Sequence, residues 1–556
     1  MTAVASGVAP RRPLRGLAAL RWIGRGLLWG AVGYAFGAAL VAAIRAASGA
    51  DPLALEPLVL GGYLLGLPAW LLGVGVWDAW AREWLGRPAR PPREEGWRRY
   101  LAYTTDHKVI GIQYLVTFTV IFLLAGLLAL VLRAELARPG QDLLAPAAFN
   151  QVMSLHGFLM IAVAVTVVIA AFGNYFVPLM IGAEDMAFPR LNALSYWLIP
   201  PIVILLGAST VVGGWDSGWT AYPPLSLGNR PGQVFMDLSF MTLGLSSILG
   251  GINFLATIVM LRAPGMTWSR LPIFVWGILL TSTMSAFFTQ SVAAVLFLSL
   301  LDRVVGTGFF TPERGGQPLL YQHLFWFYSH PAVYIMIIPG WVLALEILPH
   351  FARKRLFAYR WAVGGLIGVV ALSGVVWAHH MFTSGMPAFL QPIFLVMTEL
   401  ISIPTGLIFL SALGTIWLGR LWLRTPMLFA LAVFFNFLIG GITGIFLADV
   451  PTDVQLQDTY FVVAHFHYVI VGGEIFALFA GIYYWFPKIT GRQYSERLGQ
   501  VHFWWMFVTF NLTFLPMFWL GVNGMNRRIS DYTPDLGGVN LFATVMAVAM
   551  GASFLP

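Results

Sequence analysis

The chain has 556 residues, 58% of them hydrophobic and only 10% charged, with a mean hydropathy of +0.78. A soluble domain is nearer half apolar and a quarter charged, so this composition excludes an ordinary soluble globule and describes a polytopic membrane protein. The formal charge of +8 does not indicate nucleic acid, because the basic residues sit in short loops between apolar spans, and the absence of cysteine excludes disulfides, thiolate ligands and a cysteine nucleophile.

A helix that crosses a bilayer needs about 20 apolar residues. Fourteen segments qualify, beginning near positions 16, 57, 108, 150, 191, 233, 271, 319, 357, 389, 426, 458, 499 and 537. All are expected to be helices, since only helices or closed barrels satisfy the backbone in lipid. No cleavable signal peptide is expected: arginines occupy the N-terminus, but no small-residue cleavage site follows a short apolar core. The expected fold is therefore all-α, with two extra N-terminal spans in residues 1–80, a charged and proline-rich inner linker in 81–107, and a twelve-helix body in 108–556.

Loop charges orient the chain by the excess of Lys and Arg on the cytoplasmic side. Arg11, Arg12 and Arg15 precede the first span, and Arg82, Arg87, Arg90, Arg93, Arg98 and Arg99 follow the second. Arg262 and Arg270, then Arg353, Lys354 and Arg355, then Arg420 and Arg424, then Lys488, Arg492 and Arg497 mark later inner loops. The alternate loops are poor in these residues or acidic, as with Asp449, Asp453 and Asp458. Arg527 and Arg528 break the rule by falling on the outer side, which suggests an anion held there.

Of the ten histidines, His107, His323, His350 and His502 lie near span ends and are expected to be structural. The other six, His156, His330, His379, His380, His465 and His467, fall at overlapping depths in the outer half of the membrane, roughly 8 to 17 Å in. Six buried imidazoles at one level, with no cysteine, argue for metal. His465 and His467 project about 200° apart around a helix, so each faces a different centre. His330 is the natural third partner of the adjacent His379 and His380, and three imidazoles with an open position suit copper. His156 with His467 suits a six-coordinate haem, and His465 alone a five-coordinate one. His330 and Tyr334 are four residues apart and so share a helix face.

The runs WFYSHPAVY at Trp326–Tyr334, WAHHMFT at Trp377–Thr383 and DTYFVVAHFHY at Asp458–Tyr468 resemble subunit I of the haem-copper oxidase superfamily. So do NYFVPLMIGAEDMAFPR at Asn174–Arg190 and GWTAYPP at Gly218–Pro224. The resemblance runs from about residue 100 to 556 and leaves 1–99 outside it. It implies a low-spin haem on His156 and His467, a high-spin haem on His465, and copper B on His330, His379 and His380. It also implies a covalent His330–Tyr334 link, with Tyr334 giving an electron and a proton when the O–O bond breaks. Arg527 and Arg528 match the arginines on haem propionates, Asp453 a carboxylate near the high-spin haem, and Trp326 a cofactor-contacting residue. Arg133 matches the residue facing the formyl group where the haem is of A type.

Three positions depart from the common pattern. The glutamate that follows His-Pro is replaced by Ala332, and the Tyr328-Ser329 pair fits a branch in which it substitutes as the proton relay. Asp185, with Asn174, Asn192, Ser247 and Asn253, matches the entrance and lining of the proton channel that leads there. The lysine of the second proton channel is replaced by Ile408, and its serine by Leu345, with Glu346 next to it. That span instead carries Thr398, Glu399, Ser402 and Thr405, of which 399, 402 and roughly 405 form one polar stripe, and Glu399 is expected to reach the binuclear site, where an intramembrane glutamate handles protons or polarises the ligand. Finally, Gln457 stands where the family has a histidine at a magnesium or manganese site, although Asp458 of that site remains.

The reading that follows is the catalytic subunit of a respiratory terminal oxidase, of cytochrome c or quinol oxidase type, in a bacterial or archaeal plasma membrane. It reduces oxygen to water with proton uptake and pumping. Its expected partners are a subunit II with copper A or an equivalent, a subunit III, and cytochrome c or quinol as donor. Nitric oxide reduction by a divergent branch is the rival, consistent with Ile408, while Tyr334 weighs against it without excluding it. A non-catalytic haem-binding transporter is a third, disfavoured by the six converging histidines.

Overall fold

The computed structural model describes residues 20–88, 96–140, 143–228 and 230–555. Arg11, Arg12, Arg15, Arg90 and Arg93 of the loop-charge pattern lie outside the described residues. The chain divides between Thr104 and Thr105 into two compact units. Among the described residues every regular element is helical, and the only β feature is an isolated bridge between Thr459 and Asn526.

The first unit is a helical hairpin, α1 (Arg21–Ala47) and α2 (Leu55–Gly73), followed by a short amphipathic α3 (Val76–Trp84). Glycines let the hairpin close tightly. A Cβ on Gly37 would sit 2.2 Å from the carbonyl oxygen of Gly61, so only glycine permits this approach.

The second unit contains α4 (His107–Glu135), α5 (Pro146–Thr166), α6 (Asn174–Ile181), α7 (Pro189–Trp197), α8 (Ile199–Val211), α9 (Gly232–Met260) and α10 (Ile273–Val304). It continues with α11 (Pro318–Ala352), α12 (Tyr359–Ser373), α13 (Gln391–Leu400), α14 (Ser402–Ile416), α15 (Thr425–Ala448) and α16 (Val450–Leu456). The last elements are α17 (Tyr460–Val469), α18 (Phe476–Thr490), α19 (Glu496–Val522) and α20 (Gly537–Ala552). Several short helices join end to end into single spans: α5 and α6 through a π-helical turn at Val167–Gly173, and α17 and α18 through another at Ile470–Ile475.

Among the described residues thirteen segments are long and apolar enough to cross a membrane, against the fourteen expected. The ninth expected span, α12, stops after 15 residues. The chain then tightens into a 3-10 turn at Trp377–Met381 that carries His379 and His380. The span is shortened so that the two histidines sit on a turn rather than on a helix face.

Side-chain caps set several boundaries where donors would otherwise be orphaned. Asp106 accepts from the Lys108 amide at 2.8 Å to start α4. The Thr459 hydroxyl accepts from the Phe461 amide at 3.2 Å to start α17, two turns before His465. Among the described spans α11 is the most buried, and it carries His330.

Candidate metal centre

His330 lies twelve residues into α11, about 18 Å along its axis. The 3-10 turn after α12 brings His379 and His380 to it. One ligand atom from each of the three histidines lies within 4.8 Å of the other two. His330 Nδ1 is 3.3 Å from His380 Nε2, and the His330 and His379 rings meet at 90° with centroids 4.6 Å apart. One turn outward on α11, Trp326 stacks on His380 at 3.7 Å, and its indole N–H donates to the Tyr222 hydroxyl. One turn inward, the Tyr334 ring lies 4.8 Å from that of His330, as the four-residue spacing requires.

The polar stripe on α13 is used differently from the expectation. Thr398, not Glu399, faces the centre: its hydroxyl lies 3.1 Å from His379 Nδ1 and donates to the Phe394 carbonyl at 2.5 Å. With its proton committed, that oxygen accepts from the His379 N–H, and His379 presents Nε2. Glu399 does not reach the binuclear site. It is exposed on the outward side of α13 with Val396, Met397 and Leu400, and Ser402 is exposed beside it. Adjacent helix positions point 100° apart, so a register that turns Thr398 inward turns Glu399 out.

The other three histidines share one device. His156 Nδ1 lies 2.9 Å from the Ala125 carbonyl of α4, His465 Nδ1 2.9 Å from the Gly440 carbonyl of α15, and His467 Nδ1 2.8 Å from the Val463 carbonyl of its own helix. A carbonyl only accepts, so each Nδ1 carries the hydrogen and each Nε2 lone pair is left for a metal. The Thr443 hydroxyl adds a contact of 3.2 Å at His465 Nδ1. His465 faces α15, while His467 stacks on Phe514 of α19 at 4.2 Å, so the pair serves two sides of α17.

At the outer end, Arg527 Nε bonds Asp458 Oδ1 at 2.6 Å, and the Arg527 amide bonds the Asp458 carbonyl at 2.8 Å. Asp458 has φ +56°, and this left-handed turn directs the side chain at Arg527. Arg528 is held at 3.4 Å from the Thr220 hydroxyl, and burial, then neighbouring Arg527, lowers it to about 10. Asp453 on α16 is buried with Oδ2 unpartnered, and burial, then neighbouring Asp458, pushes it up to about 7. Arg133, buried in the last turn of α4, commits Nη2 to Asn540 and Thr544, with Tyr460 also beside its guanidinium.

Toward the inner side, Asp185 sits half-buried in the loop between α6 and α7, where burial raises its carboxyl. Asn174 Oδ1, Asn192 Nδ2, Ser247 Oγ and Ser329 Oγ are all buried and unpartnered. Asn253 is different, since both ends of its amide are taken up by the Phe188 backbone, at 2.8 and 3.1 Å. It clamps the loop that carries Asp185. Tyr328 is buried beside Ser329, and the Thr405 hydroxyl is spent on the Ile401 carbonyl.

Three of the four remaining histidines are engaged structurally. His107 bonds the Asn174 carbonyl at 2.6 Å, His323 accepts from Trp377 Nε1 at 3.3 Å, and His502 lies 2.9 Å from the Tyr483 hydroxyl. His350 is exposed at the inner end of α11. Sequence reasoning missed the contacts of Thr443 and Tyr222, which come from elements far away in the chain and leave no local signal.

Residues 109–555 match the family described as cytochrome C and quinol oxidase polypeptide I. The chain is 48% identical over 469 residues to a cytochrome c oxidase subunit 1 from a Synechocystis species, covering 84% of this chain and 85% of that one. It is 46% identical over 467 residues to the same subunit from Thermostichus vulcanus, with 84% and 85% covered. A probable cytochrome c oxidase subunit 1-beta from Nocardia farcinica is 46% identical over 480 residues, covering 84% and 80%. Among solved structures, a heme-copper terminal oxidase dimer superposes with a TM-score of 0.69 at 19% identity, covering 81% of this chain and 82% of that one, a likeness of fold.

Proposed function

This chain belongs to the cytochrome c and quinol oxidase polypeptide I family, and we propose that His330, His379 and His380 hold copper B, His465 a high-spin haem, and His156 with His467 a low-spin haem. It is the catalytic subunit of a terminal oxidase, an oxidoreductase of the respiratory chain and an integral membrane protein of the bacterial plasma membrane. The family brings haems and copper B, a surrounding membrane and other oxidase subunits. When bound, the haems and copper supply the electron transfer and the reduction of oxygen to water.

The single observation that carries the ligand assignment is the set of Nδ1 hydrogen bonds. They orient His156, His379, His465 and His467 with Nε2 outward, the arrangement that metal-bound imidazoles adopt. The mutual approach of His330, His379 and His380 fits one ion. His330 Nε2 is buried without a partner, and the Tyr334 ring beside it supports a His330–Tyr334 link. Tyr334 holds its phenol where it can give up a proton at the centre.

Arg527 and Arg528 form a cationic pair suited to haem propionates, with Asp453 close by, and Trp326 braces His380. Arg133 is a buried cation whose Nε and Nη1 are not used by Asn540 or Thr544, and it suits a carbonyl substituent, which favours haem of A type. Asp458 offers one carboxylate to a magnesium or manganese ion, with Gln457 in place of an imidazole. Protons enter at Asp185 and pass by Asn174, Asn192 and Ser247 to Tyr328 and Ser329. The unpartnered atoms of Asn174, Asn192, Ser247 and Ser329 support that order, since such atoms bind ordered water. Pumping across the membrane would use the same entry. The working complex has a subunit II with copper A or an equivalent and a subunit III. The relatives named cytochrome c oxidase favour cytochrome c over quinol as donor.

The test is turnover of the purified complex on oxygen and on nitric oxide, with copper and haem measured in the same sample. One copper bound to this chain, two haems and faster oxygen turnover are expected. A complex that is faster on nitric oxide, or lacks copper, would overturn the assignment.

A further inference from the structure

Glu474 lies fourteen residues into the 31-residue span Tyr460–Thr490, near mid-membrane, on the π-helical turn Ile470–Ile475 that follows the histidine-bearing α17. It is 1% exposed, and its Oε2 is buried without a hydrogen-bond partner. Other partly or fully buried glutamates of the second unit do structural work. Glu135 holds the Leu143 and Leu144 amides at 2.9 Å, Glu346 accepts from the Phe274 amide at 3.4 Å, and Glu496 holds the Thr425 amide at 2.8 Å. Glu474 has no such contact through Oε2. An intramembrane carboxyl with an unmet oxygen is costly and marks function rather than packing. π-Turns, which widen a helix locally, concentrate at such places.

The neighbouring surface is α11. A Cβ on Gly340 would lie 3.2 Å from the Cα of Glu474, so the missing side chain on α11 admits the turn that carries the acid. Gly340 shares a face of α11 with Met336, Val333 and Ser329, spaced by four, three and four residues. Ser329 ends that face beside His330, and its Oγ is buried and unpartnered. Glu474 therefore approaches one end of a helix face whose other end, about 16 Å outward, is a free hydroxyl next to the metal centre. The same helix carries Ala332, so it has no carboxyl of its own within a turn of His330.

We propose that Glu474 is a proton-carrying residue of oxygen reduction, taking protons from the inner side and passing them by water along this face of α11 to Ser329. This rests on the terminal-oxidase reading above. In each cycle the carboxyl O–H breaks, the proton moves to a water, and the carboxylate takes one proton from the inner aqueous phase. No electron moves in the step. Glu474 contacts neither substrate nor metal, so its role is proton delivery to the group that does.

The experiment compares wild type, E474Q and E474D as purified complexes. Oxygen turnover, haem spectra, reduction of the low-spin haem, proton uptake and redox-difference infrared spectra are read together. E474Q is expected to lose turnover by about a hundredfold, the lower end of the range for a lost acid–base group. Proton uptake should slow equally, with haem spectra and low-spin haem reduction unchanged. The wild-type infrared difference should contain a carboxylic-acid band that E474Q removes and E474D shifts. An E474Q complex that matches an active wild type overturns this inference alone, whereas a wild type that consumes no oxygen overturns the function as well. If E474Q fails to assemble, E474D decides: a shifted carboxylic-acid band with slowed proton uptake supports the role, and an unshifted band overturns it.

Discussion

The Thr398 hydroxyl stands 3.1 Å from His379 Nδ1 and gives its own proton to the Phe394 carbonyl. The hydroxyl thereby fixes the His379 tautomer and the ring's direction. Replacing Thr398 with valine keeps the shape and removes the acceptor. Groups of this kind are worth about 10–100-fold in metal affinity. T398V should therefore lose copper in a chelator wash that leaves the wild type loaded, with turnover falling in proportion. Metal analysis of the two washed complexes decides it, and equal copper in both would remove Thr398 from the centre.

Glu399, one residue on, provides the control. It lies on the exposed side of α13, so E399Q should leave copper content unaltered and change turnover by less than about twofold, as for substitutions away from buried networks. A large loss of copper in E399Q would place the carboxyl nearer the centre than the fold does.

The contrast between these neighbours shows what the sequence could and could not reveal. The spans, the common depth of the six membrane-embedded histidines and the Tyr334 spacing were legible because helical periodicity and membrane thickness constrain them directly. The polar residues of the span carrying α13 were also legible, but the stripe of 399, 402 and 405 pointed to the wrong face, because which residue faces inward depends on helix rotation, set by contacts with α12 and α15 that no local pattern encodes. The shortening of α12 escaped notice for a similar reason, since Trp377–Met381 is apolar enough to read as the end of a span. Glu474 carries no local signal, because one glutamate in an apolar run says nothing of its partners. Only the packed structure shows that its Oε2 has none.

Asp453 should leave a mark on the pH dependence of stability. Burial, then Asp458, pushes its carboxyl up to about 7 from an ordinary value of 3.8, against the partial pull of Arg527. An acid with a raised folded-state value binds its proton more tightly folded than unfolded. Its contribution is thus complete below the ordinary value, declines as pH rises, and is gone above about 7. D453N cannot ionise. Its melting temperature relative to wild type should therefore rise as pH increases toward about 7 and level off beyond. Melting curves of both complexes from about pH 5 to 8 test this, and parallel curves would contradict it.

Installing a lysine at Ile408 should damage the protein rather than open a proton route. Ile408 is fully buried on α14, and its Cγ1 would lie only 3.0 Å from a Cβ on Gly365 of α12. The hydroxyls one and two turns further along are already used: Ser411 bonds the Leu407 carbonyl, and Thr415 bonds the Ser411 carbonyl and receives the Phe357 amide. An ammonium group placed there meets an apolar wall, with a cost of about 2.5–3.5 kcal/mol even on the mildest membrane scales. I408K is expected to lower the haem content of the purified complex and to give no increase in turnover per haem. Normal haem content with faster turnover would mean that protons do travel along α14, and that the isoleucine closes a path the surrounding helices still hold open.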